Sequence, residues 1–218
     1  MSTVETNPGN KPKVLLLDNH DSFVYNLVDA LSGYDTVVMR NTVTVTEILD
    51  EKPDLIVLSP GPGHPTDAGC MMELIDAVLG KIPLLGICLG FQALLEHHGG
   101  KVAPCGPVHG STDTMVLTDG GAQHPVFQGL TTDVEPDQPD YVGTQVPIAR
   151  YHSLGCTQLP EGLNPLGYIN DIVMAAETTD GTALGLQFHP ESVLTPTGPI
   201  MIERCIDKLA LNKPIAPR

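Results

Sequence analysis

The 218-residue chain is 41% apolar and only 17% charged, enough to build the core of one large α/β domain and a poor match to disorder. Its 26 acidic against 11 basic residues give a formal charge of -15, which argues against binding nucleic acid or an anionic membrane surface. Five scattered cysteines without a CxxC pair argue against a disulfide framework or clustered zinc site, and no stretch approaches the ~20 apolar residues of a membrane span, so a cytoplasmic setting is expected.

Residues 1–12, with Pro8, Gly9 and Pro12, read as a flexible tail, and 13–212 as a single domain. Val14 to Leu17 is a short, wholly apolar strand that ends at Asp18. Phe23, Leu27, Ala30 and Leu31 then recur at helical spacing, with Asp21 or Ser22 available as a cap. A second strand at Val37–Met39 and a helix start at Val45–Leu49 follow. Leu55 to Leu58 is another buried-type strand, running into the Ser59-Pro60-Gly61-Pro62-Gly63 turn. A helix is expected from Cys70 to Leu79, a strand from Ile82 to Ile87, and a helix over 90–97 that ends near Gly99-Gly100.

Short apolar strands alternating with amphipathic helices predict a three-layer α/β fold with a mostly parallel central sheet. Beyond residue 100 the apolar pieces shorten and turns multiply, which predicts a small antiparallel addition. The acidic, proline-containing segment 133–140 reads as a solvated loop, Ala183–His189 as a late strand, and Ile200–Leu209 as a final helix.

Three segments carry chemistry. Gly86-Ile87-Cys88-Leu89-Gly90 sets a cysteine between glycines at a strand-to-helix junction, the thiol counterpart of the G-x-S-x-G elbow. Such a turn presents Cys88 outward at a helix N-terminus, which favours thiolate, and places the Leu89 N–H to stabilise an oxyanion. Taken alone, the pattern also fits a structural cysteine between packing glycines. Gln187-Phe188-His189-Pro190-Glu191 is expected at the strand end, where residues two apart share a face, so that Glu191 can orient His189 as a general base. A surface histidine beside a solvated glutamate would look the same locally. The Gly61 turn follows a buried strand, the preferred edge for ligands in open α/β sheets, but lacks a phosphate-binding fingerprint.

SPGPG at 59–63, GICLGFQAL at 86–94 and LQFHPES at 186–192, in that order, resemble the class I glutamine amidotransferase family over about residues 13–210. The resemblance implies a flavodoxin-like sheet, L-glutamine as substrate, and no metal or organic cofactor. It implies Cys88 as nucleophile, His189 as base and Glu191 as third triad member, with Gly61 and Leu89 as oxyanion donors. Gly61, Pro62, Gly63, Gln92, Ser153 and Leu154 match the glutamine-binding positions. Within the family, DNHDSFVYNL at 18–27, CGPVHG at 105–110 and SVLTPTG at 192–198 look like anthranilate synthase component II. Such subunits pass ammonia to a larger component I that converts chorismate to anthranilate. The subunit of aminodeoxychorismate synthase, on the folate route, is similar, and some organisms share one subunit between both. A catalytically silent scaffold is a further alternative, against which the intact cysteine, histidine and glutamate set argues.

Overall fold

The computed structural model describes residues 11–106, 110–134 and 142–211. Of the expected tail, residues 1–10 lie outside that description, as do 107–109 of the CGPVHG segment and 135–140 of the acidic loop.

The first half alternates as its apolar pattern requires: β1 (Lys13–Asp18), α1 (Val24–Ala30), β2 (Asp35–Arg40), α2 (Val45–Asp50), β3 (Leu55–Leu58), α3 (Met71–Val78), β4 (Leu84–Ile87) and α4 (Leu89–His97). The second half adds β5 (Ala103–Pro104), β6 (Ser111–Leu117), α5 (Asp119–Gln123), β7 (Gln145–Arg150) and β8 (Leu154–Gly155). It closes with β9 (Leu163–Ile169), β10 (Ile172–Thr178), β11 (Ala183–Leu186) and α6 (Gly198–Leu211).

Nine strands form one sheet in the order β2-β1-β3-β4-β11-β10-β9-β6-β7. The first five run parallel and reproduce the flavodoxin-like order 2-1-3-4-5, with β11 as the fifth strand. The last four are antiparallel and continue the same sheet. β9 and β10 join through a tight hairpin in which Asn170 takes φ 52°, a left-handed conformation that asparagine tolerates.

Two apolar layers sandwich the parallel strands because successive side chains point to opposite faces. On one face Val14, Leu16, Val57 and Leu85 meet Leu27 of α1 and Met201, Ile202, Ile206 and Leu209 of α6. On the other, Leu15, Leu17, Ile56 and Leu58 meet Ile48 of α2, Leu74 and Ile75 of α3 and Phe91 and Leu94 of α4. The register aligns Leu17 with Leu58, Leu58 with Gly86, and Gly86 with Gly185, so the parallel strands end along a common edge.

Three sequence expectations need correction. β4 begins at Leu84 rather than Ile82, because Ile82 still donates its N–H to Val78 of the preceding turn and Pro83 has none to give. Neither Asp21 nor Ser22 caps α1: Phe23 holds the N-cap position without a side-chain cap, and Asp21 instead accepts from the Phe23 N–H at 3.0 Å. β11 stops at Leu186, three residues short of His189. There the chain leaves the ladder into a turn closed by Ser192 N–H to His189 O at 3.2 Å, with Pro190 inside it.

Gly90 tests the packing of α4 on the sheet. A Cβ there would sit 2.4 Å from the Leu58 carbonyl oxygen and 2.6 Å from Leu58 Cβ. Helix propensity alone would make Gly90→Ala stabilising by up to about 1 kcal/mol. Overpacking against a fixed strand costs about 1–3 kcal/mol, so the clash dominates. Urea unfolding of Gly90→Ala should therefore show a net loss of about 1–2 kcal/mol; a gain would refute close contact between α4 and β3.

A second test concerns the cluster joining the antiparallel strands to α6. Glu177 of β10 is ion-paired with Lys208 of α6 and lies 3.4 Å from His124 Nε2. Burial alone would raise the Glu177 pKa, but hydrogen bonds and charge from His124 and Lys208 outweigh it and hold it below the usual value of 4.5. A depressed carboxylate contributes stability above its unfolded pKa, and that contribution is lost as pH falls through the folded value. Chemical denaturation as a function of pH should show Glu177→Gln destabilised at neutral pH. Its further loss below pH ~4.5 should be shallower than that of the parent.

Candidate active site

The elbow is built from sterics. β4 delivers four buried residues to the edge of the sheet, and at Cys88 the backbone turns with φ 51° and ψ -100°. This left-handed region is disfavoured for a residue with a side chain, at a cost of roughly 1–3 kcal/mol. The strain is held from both sides. Cys88 N–H donates to Leu186 O at 2.7 Å, and Cys88 O accepts from Gln92 N–H at 2.9 Å, the first hydrogen bond of α4. A side chain on Gly86 would strike the Gly90 carbonyl at 2.6 Å, so Gly86 is needed for α4 to fold back on β4, as Gly90 is for its contact with β3. Cys88 occupies the N-cap position of α4, where the helix dipole favours an anion on its side chain.

His189 faces this thiol with Glu191 behind it, although neither lies on a strand. His189 Nδ1 lies 2.6 Å from Glu191 Oε1, and both residues are buried. Their backbone is pinned to β7: His189 N–H donates to Ala149 O at 3.1 Å, and Ala149 N–H donates to Thr195 Oγ1 at 2.9 Å. Thr195 Oγ1 in turn donates to His189 O at 2.8 Å. Thr195 thus fixes the histidine from the 192–198 run, a role the linear sequence did not disclose.

Two aromatic rings support the imidazole. Tyr151 packs edge-on with ring centroids 4.9 Å apart, and Phe23 approaches at 5.9 Å. Burial alone would lower the His189 pKa. Hydrogen bonds to the Cys88 and Glu191 side chains, with their charges, outweigh it and push the imidazole up to about 10. At neutral pH the proton therefore resides on His189. His152 contrasts with it: burial holds its pKa down at about 4, so it stays neutral, its Nδ1 2.9 Å from Leu154 O.

A cleft of about 350 Å³ opens over the elbow, and Gly61, Pro62, Gly63, Cys88, Gln92, Ser153, Leu154 and His189 all line it. Glu191 is not part of the wall, being buried behind His189. Leu89 is also buried. Its Cδ2 stands 3.0 Å from where a Gly61 Cβ would lie, which brings the Pro60–Gly63 turn against the first turn of α4. Gln92 Nε2 donates to Leu154 O at 2.9 Å, tying the helix to the 151–154 turn across the cleft.

The same wall includes His20, Asp21, Ser22, Phe23, Tyr151 and His152, which the sequence motifs do not assign to the site. A signal existed, because residues 19–23 directly follow the carboxyl end of β1, at the sheet edge where ligands bind in such folds. Among the described residues, no group of three or more His, Cys, Asp or Glu is placed to hold a metal ion. None of the described helices is long and apolar enough to cross a membrane.

The family model for glutamine amidotransferase class-I matches residues 15–209. Anthranilate synthase component 2 of Corynebacterium glutamicum is 65% identical over 205 residues, covering 91% of this chain and 99% of that protein. The pyocyanine-specific anthranilate synthase component 2 of Pseudomonas aeruginosa is 40% identical over 201 residues, covering 89% and 92% respectively. Among solved structures, a glutamine amidotransferase from Thermotoga maritima superposes with a TM-score of 0.64 at 17% identity, covering 94% of this chain and 96% of that one, a likeness of fold. Sequence, sheet order and family model converge: the chain belongs to the class I glutamine amidotransferases.

Proposed function

We propose that the chain is the glutamine-hydrolysing subunit of an anthranilate synthase, supplying ammonia to a larger, chorismate-using component I for tryptophan biosynthesis. The observation that carries this reading is 65% identity to an anthranilate synthase component 2 along nearly the whole of both chains. The cysteine, histidine and glutamate joined at one cleft support it further.

In this reading Cys88 is the nucleophile, His189 the acid–base group, and Glu191 the residue that orients it. Glutamine enters the cleft with its carboxamide over Cys88 and its amino-acid end held near the 151–154 turn, where Ser153 and Leu154 offer backbone groups and Gln92 forms the facing wall. The sulfur attacks the amide carbon, and the backbone N–H groups of Gly61 and Leu89 receive the resulting oxyanion, each such donor being worth about 3 kcal/mol. The tetrahedral species collapses as His189 passes its proton to the departing nitrogen, which leaves as ammonia. Water, deprotonated by the now neutral His189, hydrolyses the thioester, and the sulfur leaves as thiolate beside the again protonated His189 as glutamate is released.

Two outcomes test it. In the complex assembled with component I, Cys88→Ala should abolish glutamine-dependent anthranilate formation and leave the ammonia-dependent reaction intact. Equal loss with both nitrogen donors would reject the assignment. Pairing only with an aminodeoxychorismate-forming partner would redirect it to the folate route.

The second outcome is a pH profile. Because Glu191 helps push His189 up to about 10, the acid needed to expel ammonia persists through neutrality and is lost as pH rises toward that value. Glu191→Gln removes a factor that raises the pKa, so the alkaline limb of the glutaminase profile should move to lower pH. The rate at neutral pH should fall by about 10²–10⁴-fold. An unmoved limb would exclude Glu191 as the partner of the catalytic histidine.

A further inference from the structure

One buried polar side chain at the elbow is used by none of the steps of glutamine hydrolysis. Gln187 is fully buried, in the turn between the end of β11 and His189. Its Nε2 points at Cys88 Sγ, at 3.7 Å. Its Oε1 accepts from Gln92 Nε2 at 3.2 Å, and Gln92 Nε2 also donates to Leu154 O. The Gln187 backbone is fixed by its own N–H to Met174 O at 2.8 Å, on the neighbouring strand β10.

The directions of these bonds are mutually determined. Leu154 O can only accept, so Gln92 must turn its NH₂ toward it, and the same NH₂ faces Gln187. Gln187 must therefore present its oxygen to Gln92, which leaves its NH₂ for the sulfur. No alternative amide orientation satisfies all three contacts. The result is a one-way chain from the 154 carbonyl through two carboxamides to Cys88. A buried carboxamide needs partners at both ends, and here the sulfur is the one that its NH₂ has.

We propose that Gln187 is a positioning residue for the nucleophile, its carboxamide N–H donating to Cys88 Sγ and fixing the sulfur for attack. A neutral donor suits the task, because a cation would compete with His189 for the sulfur. The thioester sulfur is neutral and a weaker acceptor than thiolate, so this hydrogen bond weakens on acylation; its effect is on sulfur reactivity rather than on glutamine affinity. The inference rests on the glutaminase reading and extends it to a residue without contact to substrate.

The test is Gln187→Met, which keeps length and apolar bulk but has no donor, compared with the parent and Cys88→Ala in the component I complex. Loss of one hydrogen bond to a charged acceptor predicts a fall of about tenfold in both iodoacetamide alkylation of Cys88 and kcat, with KM within about twofold. A fall in kcat with KM held is a split that a purely structural role would not produce. Abolition of glutaminase by Cys88→Ala with Gln187→Met at the parental rate would overturn this inference and leave the glutaminase reading standing. Glutaminase retained in Cys88→Ala would overturn both. An increase in KM with unchanged kcat and alkylation would also overturn it, assigning Gln187 to support of the Gln92 wall. The parent protein gives a reading independent of how the variant folds. By NMR, the side-chain amide protons of Gln187 should change shift when Cys88 is alkylated, and resonances indifferent to alkylation would refute the contact.

Discussion

The site depends on one backbone conformation, the positive φ of Cys88. A residue with a side chain is held there because both neighbours on the chain are already committed. β4 ends in a ladder with β11, and α4 must begin at once to cover Leu58 and Gly185. Gly185 illustrates how tight that cover is, since a Cβ on it would lie 1.9 Å from the Phe91 ring. The strain at Cys88 is small beside the apolar burial gained by seating α4, so the fold tolerates it. Its chemical effect is large, because the turn exposes the sulfur to the cleft and leaves a helix N-terminus behind it.

Electrostatics then divide the titratable groups of the cleft. His189 and His152 are both buried and share a cleft, yet their pKa values move in opposite directions. His189 has anionic or anion-forming partners on two sides, which outweigh burial. His152 faces a backbone carbonyl on one side and the Arg150 guanidinium on the other, and burial prevails. One imidazole is therefore kept charged and the other neutral. A neutral His152 is compatible with a structural role beneath the 151–154 turn, and it does not compete for the proton on His189. The overall charge of -15 has no part in this, because partners within a few ångströms in a water-poor pocket outweigh distant, screened carboxylates.

Much of the parallel half was legible because its signals are local. Four-residue apolar runs at Leu55–Leu58 and Leu84–Ile87 are buried on both faces. The elbow was legible because glycines flank the cysteine in sequence as well as in space. The histidine–glutamate contact was anticipated for the wrong local reason. Strand alternation would have aligned the two side chains, whereas the structure aligns them through a turn pinned by Thr195 and Ala149, contacts made over long sequence separations. Phe23, Tyr151 and Gln187 were hidden for the same reason. Each reads as an ordinary core or helix-start residue until the sheet order brings the ends of β1, β7 and β11 together.

That sheet order makes the site depend on both halves of the fold. β1, β3 and β4 deliver the segments carrying Phe23, Gly61 and Cys88, while β7 leads into the turn carrying Tyr151, Ser153 and Leu154. These sets lie on opposite sides of β11, which pairs in parallel with β4 and antiparallel with β10. The end of β11 and the segment after it contact both: the Cys88 N–H acceptor Leu186 and the Gln187 side chain face the parallel side, and His189 is bonded to β7. A chain without β11 in place would lack an acceptor for the Cys88 N–H, and one without β7 would lack a fixed His189. The strained elbow would then have little reason to persist. Completion of β11 therefore links folding to the site, because the hydrogen bond that closes the sheet at Leu186 is the one that holds the sulfur-bearing residue in its strained turn.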